Sequence, residues 1–120
     1  MKKSILSLCV IIVFFSVIYL ITPSYAEVKC NTAQEFNNLD IYGVVIKKFI
    51  DSSQHSYPII LVGNFKGKDT LSINLIYDTT DLYNRLEISD TILKNKGTKM
   101  LSIIRKGVRT FEKEIDFGCN

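Results

Sequence analysis

The sequence predicts a small, mainly β domain of about five to six strands, with one short helix after the third strand and a cleaved helical signal peptide in front. Three observations lead there. Residues 5–21 are an uncharged apolar run directly behind the basic start Met1-Lys2-Lys3. After it, runs rich in β-branched and aromatic residues recur, separated by Gly, Pro, Ser, Asn and Asp. Only residues 78–90 break that rhythm.

Pro23 stops the apolar helix, and Ser24 and Ala26 supply the small residues of a cleavage site. Residues 1–26 are expected to leave as a signal peptide, and residues 27–120 to form one domain without a membrane span. The competing reading is an uncleaved anchor, because the run sits at the lower edge of a bilayer-spanning length. Neither Cys9 nor Cys30 has the neighbours of a lipid-attachment site. Loss of the leader removes Lys2, Lys3 and Cys9. The 15 basic and 12 acidic residues of the whole chain then come close to balance. A near-neutral domain has no general attraction for nucleic acid. The chain is therefore expected to be exported, to the periplasm or the exterior.

Cys30 and Cys119 remain, one near each end of the domain. An even pair in an oxidising compartment, with no CxxC and no nearby histidine, reads as a disulfide rather than a metal site. Closing so long a loop stabilises a domain by about 4–5 kcal/mol in the chain-entropy account.

The strands follow in order. Residues 31–39 are polar and have room for a turn of helix. Ile41 to Ile50 is β-branched and apolar on both faces, and reads as a long first strand serving two sheets; Gly43 within it points to a bend or close packing. Residues 51–56 connect it to a strand opened by Pro58 and running to Val62. Residues 63–68 make a glycine-rich turn. Thr70 to Tyr77 alternates cleanly, with Leu71, Ile73, Leu75 and Tyr77 on one side. Thr80 or Asp81 is placed to cap a short helix carrying Leu82 and Leu86 on one face. Thr91 to Lys94 is a short strand. Lys96-Gly97 is a turn. Met100 to Lys106, a tight Lys106-Gly107 turn and Val108 to Phe117 complete a hairpin.

Three strands, a helix, a short strand and a final hairpin resemble the order of an OB-like barrel, with a β-roll as the alternative. A second resemblance rests on residues. Gly43-Val44-Val45-Ile46-Lys47-Lys48-Phe49-Ile50-Asp51, then His55, then Pro58-Ile59-Ile60, is similar to a pattern in small exported bacterial β-proteins of unknown role. Residues 88–97, Ile-Ser-Asp-Thr-Ile-Leu-Lys-Asn-Lys-Gly, resemble a later stretch of those proteins. Ser89 stands where that stretch has glycine. The resemblance implies export and a β fold, and no activity.

Candidate chemistry is sparse. Lys94, Lys96, Lys99, Arg105 and Arg109, with Lys106, form a run free of acids, which suggests a patch for a polyanion or an acidic surface of an envelope protein. Glu112 and Glu114 on the return strand offer competing partners. Phe65, at a turn tip among lysines, is the candidate aromatic contact. His55 with Asp51 is the alternative catalytic pair, for a small hydrolase or a metal-dependent enzyme. Asp78, Asp81, Glu87 and Asp90 cluster around the helix but lack a calcium-loop pattern, and capping or turn roles explain them. No cofactor or metal motif occurs. The leading expectation is a non-enzymatic exported binding module; a disulfide-stapled scaffold or inhibitor-like protein is the third.

Overall fold

The computed structural model describes residues 2–53, 55–65 and 69–119. An apolar helix, α1 (Lys2–Ile21), is followed after a break at residues 22–24 by α2 (Tyr25–Asn38). Then come β1 (Ile41–Asp51), β2 (Tyr57–Asn64), β3 (Thr70–Asn74), the four-residue α3 (Leu82–Arg85), β4 (Thr91–Lys94), β5 (Met100–Arg105) and β6 (Val108–Glu114).

The strands form one antiparallel six-stranded sheet in the order β3-β2-β1-β4-β5-β6. The mainly β class therefore holds. The barrel does not: β3 and β6 are the edges of an open sheet. β1 also serves one sheet, not two. It pairs with β2 from Gly43 to Asp51 but with β4 only from Ile41 to Val44. There the ladder to β4 ends, because Val45 exchanges backbone hydrogen bonds with the loop before β4: its N–H donates to Asp90 and its carbonyl accepts from Ser89, both at 2.8 Å. β3 ends at Asn74 rather than Tyr77, since Asn74 Oδ1 accepts the Ile76 N–H at 2.9 Å and turns the chain.

A bulge between Val45 and Lys47 has a consequence for the site. It shifts the register so that Val45 opposes Val62 and Lys48 opposes Ile60. Val62 and Ile60 are both buried on the same face, so Lys48 is brought to the core side while Ile46 is left exposed.

The core lies against that face. Ile41, Val45, Ile60, Val62, Ile73, Ile92, Leu101 and Ile103 come from the sheet, Leu82 and Leu86 from α3 and its end, Phe36 from α2, and Ile115 and Phe117 from the tail after β6. Phe36 and Phe117 meet edge to face at 5.0 Å. Burying a side chain of this size contributes about 1.5–3 kcal/mol. The disulfide Cys30–Cys119, with Cα atoms 5.2 Å apart, joins α2 to the segment that follows Phe117.

Two helix readings are corrected. The polar stretch before β1 is a full helix of 14 residues, not a turn of one. Ser24 caps it by accepting the Glu27 N–H at 3.2 Å, and the packing of Phe36 holds its far end. The predicted leader boundary after Ala26 thus falls inside α2. Asp81 holds the N-cap position of α3, but neither it nor Thr80 supplies a side-chain cap. Asp81 is left-handed at φ 61° and its side chain makes no cap bond. Asp78 does the work from further back, accepting the Leu82 N–H at 2.7 Å and the Thr80 N–H at 2.8 Å. The final hairpin turns at Lys106 and Gly107, with φ of 50° and 79°, the pair of positive values a two-residue hairpin turn needs.

Candidate functional site

The predicted basic patch divides when the chain folds. Lys94 is 2% exposed. It shares its face of β4 with the buried Ile92 and opposes Ile41 on β1, so it points into the core side. Its Nζ donates to the carbonyls of Asn37 (3.1 Å), Leu39 (2.9 Å) and Asn95 (3.2 Å) and stands over the Phe36 ring. Lys94 therefore caps the carboxyl end of α2 and is not a surface cation. Burial pushes its ammonium below the usual value, with nearby Asp40 opposing.

Arg105 is also withdrawn. Its Nε donates to Asp90 Oδ1 and its Nη2 to Asp90 Oδ2, each at 2.8 Å; Nη1 meets Glu87 at 2.9 Å, and Nη2 also reaches the Arg85 carbonyl at 3.0 Å. The forked geometry suits a carboxylate. Arg105 holds the Asp90 carboxyl below its usual range, and the Arg105 guanidinium is correspondingly pushed up by that hydrogen bond. Lys48, which the sequence did not single out, works like Lys94. Its Nζ donates to the carbonyls of Tyr83 and Leu86, both at 2.7 Å, at the carboxyl end of α3. Cations thus close both helix ends where carbonyls lack intrahelical partners.

What remains at the surface is smaller. Lys96 and Lys99 are exposed around the β4–β5 turn. Arg109 is exposed but ion-paired with Glu112 at 3.0 Å. Phe65 is 58% exposed. The lysine and glycine that follow it, with Lys68, lie outside the described residues.

Phe65 is not alone. Its ring meets Tyr42 edge to face at 5.0 Å, and its N–H donates to the Tyr42 carbonyl at 2.7 Å. Tyr42 opposes Leu93 on β4, and Leu93 opposes Ser102 on β5. These residues line the face opposite the core, with Ile46 and Met100 also exposed there. Two shallow depressions adjoin. One, of about 310 Å³, has Leu93, Lys94, Met100, Ser102, Arg109 and Glu112 among its lining residues. The other, of about 240 Å³, runs from Leu93 and Asn95 to Tyr42 and Asp40. Alternation with Ile41 already marks Tyr42 as an outward, exposed aromatic; its contact with Phe65 comes only from the fold.

The other candidates do not assemble into chemistry. Asp51 Oδ1 accepts both the Ser53 N–H (3.0 Å) and the Ser53 hydroxyl (2.6 Å). His55 is exposed at φ 54°, and its ring lies 6.0 Å from that of Tyr57. Both residues lie in the β1–β2 connection, Asp51 bonded to Ser53 and His55 open to water. The acidic cluster is used structurally, by Asp78 at α3, by Asp81 on Asn84 Nδ2 at 2.6 Å, and by Asp90 and Glu87 on Arg105. Among the described residues no group of three or more His, Cys, Asp or Glu is placed to hold a metal ion.

The chain matches no protein-family model, no curated protein and no solved structure.

Proposed function

We propose that the chain is an exported, non-enzymatic binding module of the cell envelope or the exterior. It binds through the open sheet face around Tyr42 and Phe65. The observation that carries this reading is that edge-to-face aromatic pair, with Tyr42 42% and Phe65 58% exposed, on a face whose neighbours Ile46 and Met100 are also open to water. Aromatic rings fixed by a partner bury large area at little entropic cost. Arg109 lines a depression on the same face, and Lys96 and Lys99 are exposed on the β4–β5 turn. An envelope protein suits this surface better than a polyanion. Lys94 and Arg105 are spent on the fold, and Arg109 is neutralised by Glu112. The disulfide and the apolar N-terminal helix support export.

The test is cross-linking of the folded protein in envelope fractions, with a Tyr42→Ala/Phe65→Ala variant and a Lys96→Glu/Lys99→Glu variant alongside. A protein adduct lost only in the aromatic variant supports the reading. Loss only in the charge variant points instead to a protein partner held by its acidic surface at Lys96 and Lys99. An adduct retained by both variants would remove this face from consideration.

A further inference from the structure

We infer that α1 is retained as a membrane anchor, and that its partner is the hydrocarbon core of a phospholipid bilayer. The inference goes beyond the binding surface and does not depend on it.

The helix is built for such a medium. At 20 residues it is about 30 Å long, the thickness of a bilayer core. An 18-residue window of it has a mean hydropathy of 2.8 with nothing buried against the rest of the protein. It is apolar on every side, so it lacks the polar face of a helix lying at a membrane surface. The Ser16 hydroxyl donates back to the Ile12 carbonyl at 2.8 Å, and that of Thr22 to Ile18 at 2.7 Å. In lipid, polar groups have to be satisfied in this way. The basic start of the sequence places the N-terminus on the cytoplasmic side and the domain outside.

A signal peptide shares those properties. What separates the two is the far side of the break. Ser24 and Glu27 have the spacing of a capping box, and Ser24 Oγ accepts the Glu27 N–H. The Tyr25 ring packs edge to face on Tyr77 at 5.5 Å, and Lys29 Nζ lies 5.8 Å from its centroid. The segment that would carry the cut is thus the first turn of a helix held to the domain through Cys30. Cleavage after Ala26 would remove the cap and one half of the Tyr25–Tyr77 pair. With only residues 22–24 between α1 and α2, the domain sits within about 10 Å of the bilayer. Tyr25 and Tyr77 then lie at the membrane–water interface, where tyrosine is favoured.

The experiment uses the full chain expressed in a bacterium, with intact-mass measurement and alkaline-carbonate extraction of membranes. The expected result is a chain that retains residues before Glu27 and leaves the membrane only in detergent. An Ala26→Leu change, which blocks leader cleavage, is expected to leave the mass unaltered apart from the substitution. A wild-type chain that begins at Glu27, or one released by carbonate, overturns the inference. So does a longer product seen only with Ala26→Leu. A second readout tests the integration of the first turn: Ser24→Ala/Tyr25→Ala in the detergent-extracted chain is expected to lower Tm by several degrees, and an unchanged Tm counts against it.

Discussion

Arg105 grips Asp90 with two parallel hydrogen bonds of 2.8 Å, across a hairpin whose strands otherwise pair only apolar and hydroxyl residues. The Asp90 side chain is 2% exposed and that of Arg105 31%. Asp90 also accepts the Glu87 N–H at 2.8 Å, so one carboxylate fixes the loop between α3 and β4 and ties it to β5.

Asp90→Ala is expected to cost about 3 kcal/mol, the lower end for removing one partner of a buried pair, because water reaches Arg105. The pH dependence has a definite sign. Arg105 depresses the Asp90 pKa below its ordinary value of 3.8, so the folded chain binds fewer protons than the unfolded one in the window between the two values. Stability from this pair is complete above that window and is lost as pH falls through it. Urea denaturation from pH 6 downward is expected to show a steeper acid loss in the wild type than in Asp90→Ala. Parallel curves would refute the assignment.

Lys94→Met tests the buried cap of α2. The Asn37 carbonyl keeps the Gly97 N–H at 2.8 Å, but the Leu39 carbonyl loses its lysine donor. The expected cost is about 1–3 kcal/mol, the range for one buried unsatisfied acceptor. Burial depresses the lysine pKa below 10.5, so the unfolded state binds the extra proton in the window just below that value. This group's contribution to stability therefore rises as pH increases through the window. The Lys94→Met variant is expected to lack that alkaline rise. Hydrogen exchange is expected to speed at the last turn of α2 and not at its first.

Gly43 and Gly63 lie on paired strands but make opposite predictions. A Cβ on Gly43 would stand 2.3 Å from the Gly63 carbonyl oxygen and 2.8 Å from Val62 Cγ1. Backbone has to move, so Gly43→Ala is expected to cost about 2–3 kcal/mol. A Cβ on Gly63 meets the Ile46 Cδ1 at 2.9 Å, the end of an exposed side chain that can swing away. Gly63→Ala is expected to change stability by less than about 1 kcal/mol. Equal losses in thermal melts of the two variants would contradict this account.

The disulfide spans 89 positions. Replacing both cysteines by serine, or reducing the bond, is expected to lower stability by about 4–5 kcal/mol in the chain-entropy account. For a domain of this size that corresponds to a Tm drop of roughly 20 °C or more. A drop of only a few degrees would mean that Phe36 and Phe117 hold α2 in place without it.

Much of the sheet was legible because side-chain alternation is local. Ile41 to Ile50 and Met100 to Lys106 were recognisable from β-branched content alone, and Lys106-Gly107 from its turn chemistry. The fates of the cations were harder to read. Lys94 and Arg105 look like solvated charges, since burial of a lysine is rare until backbone carbonyls from elsewhere converge on it. A signal did exist for Arg105. A hairpin centred near Gly97 that pairs Thr91 with Ile104 sets Asp90 opposite Arg105. No comparable signal existed for Lys48, whose inward turn depends on the bulge after Val45.

By itself, the sequence determined an apolar N-terminal helix, a mainly β domain and a cysteine pair at its two ends. These follow from composition, from alternation over a few residues and from count. Only the tertiary structure decided that the sheet stays open, that Lys48 and Lys94 cap helices, and that Tyr42 joins Phe65 on an uncovered face. Each of these depends on register between strands distant in sequence, and a single bulge or side-chain hydrogen bond changes which face a residue meets.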